Sequence, residues 1–116
     1  MVLSAKSDSE ILAVATPIMD NLMDASTAID RERHVRDFTD RAKSIVTTER
    51  LKQICENYQR DKGLFGERDL LAILRRPQSV VLIWKQKFTK AQGEYLAEMV
   101  LVEKDGRPLV DHVMVI

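Results

Sequence analysis

The chain has little of what usually names a function. It carries one cysteine, Cys55, which excludes an intramolecular disulfide and any multi-cysteine metal site. Its two histidines, His34 and His112, have no metal-ligand spacing. Its four glycines form no phosphate loop, and no Ser-His-Asp nucleophile motif is present. Basic and acidic residues both number 18, so the formal net charge is zero. A dedicated binder of nucleic acid or anionic membrane would carry a basic excess. No stretch approaches the roughly 20 apolar residues of a membrane span. The opening "MVLSAKSDSE" is polar where a signal peptide has its apolar segment. These shortages set the expectations: no metal, no cofactor, no nucleic acid, no membrane, and a cytoplasmic location.

What is present reads as one folded domain. At 116 residues, 45% hydrophobic and 31% charged, the chain can bury a single core. The expected domain spans 1–116, with 1–7 frayed. "SDSEILAVATPIMDNLMDASTAID" opens with Ser7 and Glu10 in capping-box spacing. Ile11, Ala15, Ile18, Leu22 and Ile29 follow at helical spacing, widened by Leu12, Met19 and Met23. Pro17 either kinks this helix or, with Thr16 as cap, starts a fresh one. Asp30 can cap a second helix, "RERHVRDFTDRAKSIV". A threonine can cap a third, "TTERLKQICENYQRDKG", which ends at Gly63. "GLFGERDLLAILRRPQ" has a core that would suit a helix, but its flanking glycines and Pro77 make it a strand ending in a turn.

From residue 79 the period changes to two. "SVVLIWKQKFTK", "GEYLAEMVLVEK" and "RPLVDHVMVI" read as three strands, the last two joined by a hairpin at Asp105-Gly106. That turn sets Met99 opposite His112, Ala97 opposite Met114 and Leu101 opposite Val110. With Ala91-Gln92 centring the preceding turn, Phe88 faces Tyr95, Gln86 faces Ala97 and Trp84 faces Met99. Lys85 then stands opposite Glu98 on the other face. One face is nearly all apolar, broken only by Gln86 and His112. The other mixes branched apolar residues with Lys85, Lys87, Glu94, Glu98 and Asp111. So many apolar residues suit a covered surface, and a homodimer through this outer face is expected, using Ile83, Leu96, Val100, Val113 and Val115.

Helices first and long antiparallel strands after, as in "DRERHVRDFTDRAKSIVTTERL", "KGLFGERDLLAI" and "GEYLAEMVLVEKDGRPLVDHVMVI", resemble the nuclear-transport-factor-2-like superfamily, which includes the SnoaL-like and ketosteroid-isomerase-like proteins. The resemblance lies in element order and covers nearly the whole chain. It implies an α+β fold in which three N-terminal helices pack on the concave face of a strongly curved, mostly antiparallel sheet. It also implies a pocket at the open end of the cone and dimerisation through the outer sheet face. Its members include isomerases, cyclases, dehydratases, subunits of larger enzymes and non-enzymatic binding domains, so the fold does not choose a role.

The candidate pocket residues are Trp84, Gln86, Phe88, Tyr95, Met99 and His112. His112 is the best candidate for an acid or base, since imidazole transfers protons near neutral pH; it also reads as a core histidine held by a backbone carbonyl or by Tyr58 or Tyr95. Gln86 could orient a ligand, or could satisfy backbone groups at a helix end or bulge. Isomerases of this resemblance use an inward carboxylate, and the inner face of the last three strands offers none. Asp20, Asp37 and Asp69 are the remaining acids to consider. Three functions follow. The first is a non-catalytic homodimeric domain with a small apolar pocket. The second is a small isomerase, dehydratase or hydrolase acting on an apolar substrate, with His112 as acid or base. The third is a protein-interaction module using the outer sheet face.

Overall fold

Every α-helix begins where a side chain stands ready to cap it. In the computed structural model, which describes residues 2–116, Ser7 accepts from the Glu10 amide while the Glu10 carboxylate accepts from the Ser7 amide, a complete capping box for α1 (Asp8–Ala28). Asp30 caps α2 (Arg31–His34), Thr39 caps α3 (Asp40–Ile45), and Thr47 caps α4 (Thr48–Lys62). α1 runs unbroken through Pro17, so no new helix starts at Thr16. Pro17 is exposed, which leaves the carbonyl it cannot pair within reach of water. Ile11, Ala15, Met19, Leu22 and Met23 form the buried stripe. Ile29, expected to extend it, instead ends the helix in the left-handed region, at φ 53°.

The single second helix expected over 31–46 is two helices. Between them Phe38 forms a parallel bridge with Val110, the Val110 amide donates to the Asp37 carbonyl, and the Thr39 amide donates to the Val110 carbonyl. Pairing with the sheet takes this segment out of the helix, and Thr39 then restarts it. The amino terminus also differs from expectation. Leu3–Ala5 form a 3-10 turn, Leu3 is buried, and Arg75 donates to the Lys6 carbonyl. Residues 3–7 are therefore anchored, while Met1 lies outside the described residues.

The sheet has four antiparallel strands in sequential order: β1 (Phe65–Arg75), β2 (Ser79–Phe88), β3 (Tyr95–Lys104) and β4 (Arg107–Val115). Asp105 and Gly106 both adopt positive φ, as the hairpin turn requires. The inner face carries Val80, Leu82, Trp84, Ala97, Met99, Leu101 and Val110, all buried against α1 and its neighbours. Each large apolar side chain enclosed there contributes about 1.5–3 kcal/mol.

Two register expectations are corrected. Gln86 pairs with Tyr95, Trp84 with Ala97 and Leu82 with Met99, two residues off the expected β2–β3 pairing. The chain leaving Phe88 does not turn at once. Thr89, Lys90 and Ala91 donate their amides to Leu64 and Lys62 carbonyls, which lengthens the connection. A slip of two preserves the faces, but Lys85 now pairs with Glu94 at 3.0 Å rather than with Glu98. The second correction is larger. Leu101 pairs with Val110 as expected, but Val100 pairs with His112, so Asp111 is the extra residue of a β-bulge. Beyond it every side chain of β4 changes face. His112 and Met114 join Val100 and Glu98 outside, while Val113 and Val115 pack against the core. Neither valine is therefore available to the outer-face dimer in which both were expected.

Candidate functional site

The cone opens where α3 and α4 stand off from the distal half of β4. α4 presents Leu51, Cys55 and Tyr58 inward at helical spacing, while β4 presents Val113 and Val115 across from them. Between these walls is a cavity of about 390 Å³, with Leu22, Met23 and Ala42 behind it and Phe65 and Phe88 at one end. That end is an aromatic cluster. Tyr58 and Phe65 centroids are 4.8 Å apart, Phe65 and Phe88 5.3 Å, and Phe88 meets Tyr95 edge-on at 5.1 Å.

The lining also carries polar groups, with Arg41, Arg50 and Lys62 on it as well as Ser26, His34 and Asp111. Ser26 Oγ is 2.8 Å from the Tyr58 hydroxyl and 3.2 Å from Cys55 Sγ. Gln59 Nε2 donates to the carbonyls of Ser26 and Thr27. Burial pushes the Cys55 thiol pKa up, although its hydrogen bonds to Ser26 and Tyr58 act the other way. The thiol is therefore protonated and poorly nucleophilic. His34 is 9% exposed, stands edge-on to Phe38 at a centroid distance of 5.4 Å, and has its Nδ1 enclosed without a partner. Burial lowers its pKa to about 4, so the imidazole is neutral at physiological pH.

Asp111 is the carboxylate on the lining, among the described residues. The bulge turns it toward α3 rather than to the outer face where it was expected. Thr39 Oγ1 donates to it at 2.8 Å and the Arg41 guanidinium bridges both of its oxygens at 3.2 and 3.1 Å. Arg41 also donates to the Asp111 carbonyl. Arg41 chiefly, helped by Thr39 and opposed by burial, holds the Asp111 pKa below the usual carboxylate range. A carboxylate so held closes the rim and is a poor proton acceptor. The other acids considered from sequence lie elsewhere. Asp20 pairs with Arg68, Asp69 stands beside Lys85 on the outer face, and Asp37 is bound by Arg36 and Arg107. Burial raises the Asp37 pKa, but the bonds and charges of those two arginines outweigh it and the net direction is down.

The structure divides the six residues expected to form the pocket. Phe88 lines the cavity. His112 touches its rim, but Nε2 is 3.0 Å from Glu98 Oε1 and the ring belongs to the outer face. Trp84 and Met99 are closed in the core, with the Arg68 guanidinium 5.6 Å from the Trp84 ring centroid. Tyr95 stands at the sheet rim and donates its hydroxyl to the Gln92 carbonyl. Gln86 is fully buried and lies outside the cavity lining; its Nε2 donates to the carbonyls of Gly66, Glu67 and Lys87. It ties down the β1 segment where the register shifts between Phe65 and Arg68. Sequence reasoning missed His34, Ser26 and Asp111 as cavity residues. For His34 a signal existed: it precedes Phe38 by one helical turn, on the side that was expected to be apolar.

Four helices over a four-stranded antiparallel sheet, with a cavity between α4 and β4, make a cone-shaped α+β fold of the nuclear-transport-factor-2-like kind. Solved structures agree. A designed protein of that fold superposes with a TM-score of 0.64 at 11% identity, covering 87% of this chain and 95% of its own. A DUF4783 family protein from Bacteroides uniformis superposes at 0.51 with 8% identity, covering 83% and 93%. Bd1075 of Bdellovibrio bacteriovorus gives 0.53 at 9% identity; 94% of this chain matches 42% of that one. At such identities the likeness is one of fold alone. No protein-family model matches the sequence, and no curated protein matches it. Among the described residues no helix is long and apolar enough to cross a membrane, and no group of three His, Cys, Asp or Glu could hold a metal ion.

Proposed function

We propose that the domain is a small-molecule binding module whose cavity takes a small apolar ligand without transforming it. The observation that carries this reading is the cavity itself. About 390 Å³ of space faces apolar side chains and holds the neutral imidazole of His34. That size lies at the small end of ligand sites, and a mainly apolar lining with some polar groups is their usual composition. The enzyme reading has less support, because the His112 ring belongs to the outer face and Asp111 is held by Arg41. A cytoplasmic location is part of the proposal and rests on the single, unpaired Cys55. Native mass spectrometry of protein purified from its own host tests the reading. A single bound species that leaves on denaturation is expected, and bare protein in every preparation would count against it.

Self-association is the second part of the proposal, through a corrected set of residues. Ile83, Leu96 and Val100 remain accessible on the outer face, joined by Met114, while Val81 is already buried within the monomer. At the β1 edge, Leu71 and Leu74 are 60% and 50% exposed. The occupant is a second copy. The patch carries Lys85, Lys87, Glu94 and Glu98 among its apolar residues, so it is complementary to itself, and a chain of zero net charge does not repel its copy. Light scattering at micromolar concentration should give a dimer mass that Ile83→Lys halves; a wild-type monomer removes this part.

A further inference from the structure

The free edge of β4 borders the cavity. Leu96 and Ile116 exchange both of their amide–carbonyl bonds, which fixes the alternation along β4. His112, Met114 and Ile116 bond toward β3, while Val113 and Val115 turn their N–H and C=O groups to the strand's other edge. Earlier along the same edge those groups are used. Val110 bonds Asp37 and Thr39, and the Asp111 carbonyl accepts from Arg41. Past that point no backbone partner follows among the described residues, and this is the stretch that lines the cavity.

A purely hydrocarbon occupant would strip water from these donors and acceptors and return nothing for them. An occupant with alternating donors and acceptors at the strand repeat of about 7 Å per two residues would satisfy both valines. Its side chains would alternate between the inner side, toward Leu51 and Tyr58 on α4, and the outer side, beside His112 and Met114. We infer that the ligand of this cavity is a short extended peptide with apolar side chains, two or three residues of which add to β4 as a fifth strand. This rests on the reading of the cavity as a ligand site and specifies the class of ligand. It uses strand addition, in which main-chain bonds supply affinity and side-chain pockets supply selection.

The test titrates the ¹⁵N-labelled protein with acetyl-valyl-leucyl-valinamide, with the same peptide N-methylated at every residue, and separately with anilinonaphthalene sulfonate as a plain apolar probe. Saturable shifts of the Val113 and Val115 amides, slowed exchange of both, and an affinity lowered about tenfold by N-methylation are expected. Val113→Pro removes one edge donor while sparing the ladder to β3, and should weaken the parent peptide to a similar degree. If the dye binds and the peptide does not, the inference fails and the binding function stands. Equal affinity for both peptides also overturns it, since the edge would then be unused. If neither dye nor peptide binds, the cavity reading falls with it.

Discussion

Replacing His34 with leucine should flatten the pH dependence of stability between neutrality and mild acid. In the unfolded chain the imidazole titrates near the model value of 6.5, and in the fold burial lowers this to about 4. Between those values the unfolded state holds more protons, so stability falls as pH falls. Linkage gives a loss of roughly 2 kcal/mol from pH 7 to pH 5, approaching about 3 kcal/mol once the pH passes below the folded value. Asp37 and Asp111 also have lowered pKa values, but their contribution persists above the unfolded value of 3.8 and is lost only as pH falls further. The interval from pH 7 to pH 5 therefore leaves out those two aspartates, and comparison with His34→Leu separates His34 from His112, which both proteins carry. Urea denaturation at those two pH values reads it directly. Wild type should lose roughly 2 kcal/mol and His34→Leu a small fraction of that. An equal loss in both proteins would refute the burial argument, because the titrating group would then be another.

Gln86→Leu keeps the volume and removes three donated bonds, leaving the carbonyls of Gly66, Glu67 and Lys87 unserved. A cost of about 2 kcal/mol in urea denaturation is expected, reduced by loss of the unpaired Oε1; a neutral outcome would mean that water serves those carbonyls. Asp111→Ala releases Arg41 and Thr39 from the bulge, and because Arg41 is 59% exposed the stability cost should be no more than about 1 kcal/mol. Amide exchange of α3 should rise in that variant; unchanged exchange would show that the bulge does not anchor the helix.

The parts of the fold that could be read from sequence were those governed by local chemistry. Ser7 with Glu10, Asp30, Thr47, Gly63 and Asp105-Gly106 each act on residues within one turn, and each does so as expected. The inner face of β2 was also legible, because a slip of two residues leaves alternation unchanged. The candidate site was mostly not legible. One extra residue at Asp111 reversed every later side chain of β4, moving His112 out and Val113 and Val115 in. Nothing within reach of Asp111 in sequence signals the bulge. Its partners are Thr39 and Arg41, 72 and 70 residues away along the chain. The break at Phe38 has the same origin, since its bridge to Val110 exists only once the sheet does. Gln86 was read as either a ligand contact or a bulge support, and only the tertiary placement of Gly66 decided for the second.

The central claim is that the space between α4 and the distal half of β4 is a ligand site. Ala42 is buried and lines that space from α3, so Ala42→Phe would fill part of it from a rigid position. Fluorescence titration with an apolar dye, on wild type and on a folded Ala42→Phe protein, is the most direct measurement. The account predicts saturable binding to wild type that the variant weakens about tenfold or more, with dye released by native ligand. Binding of equal strength to both proteins would contradict it, because the dye would then be held elsewhere and the cavity would have no claim to be the site.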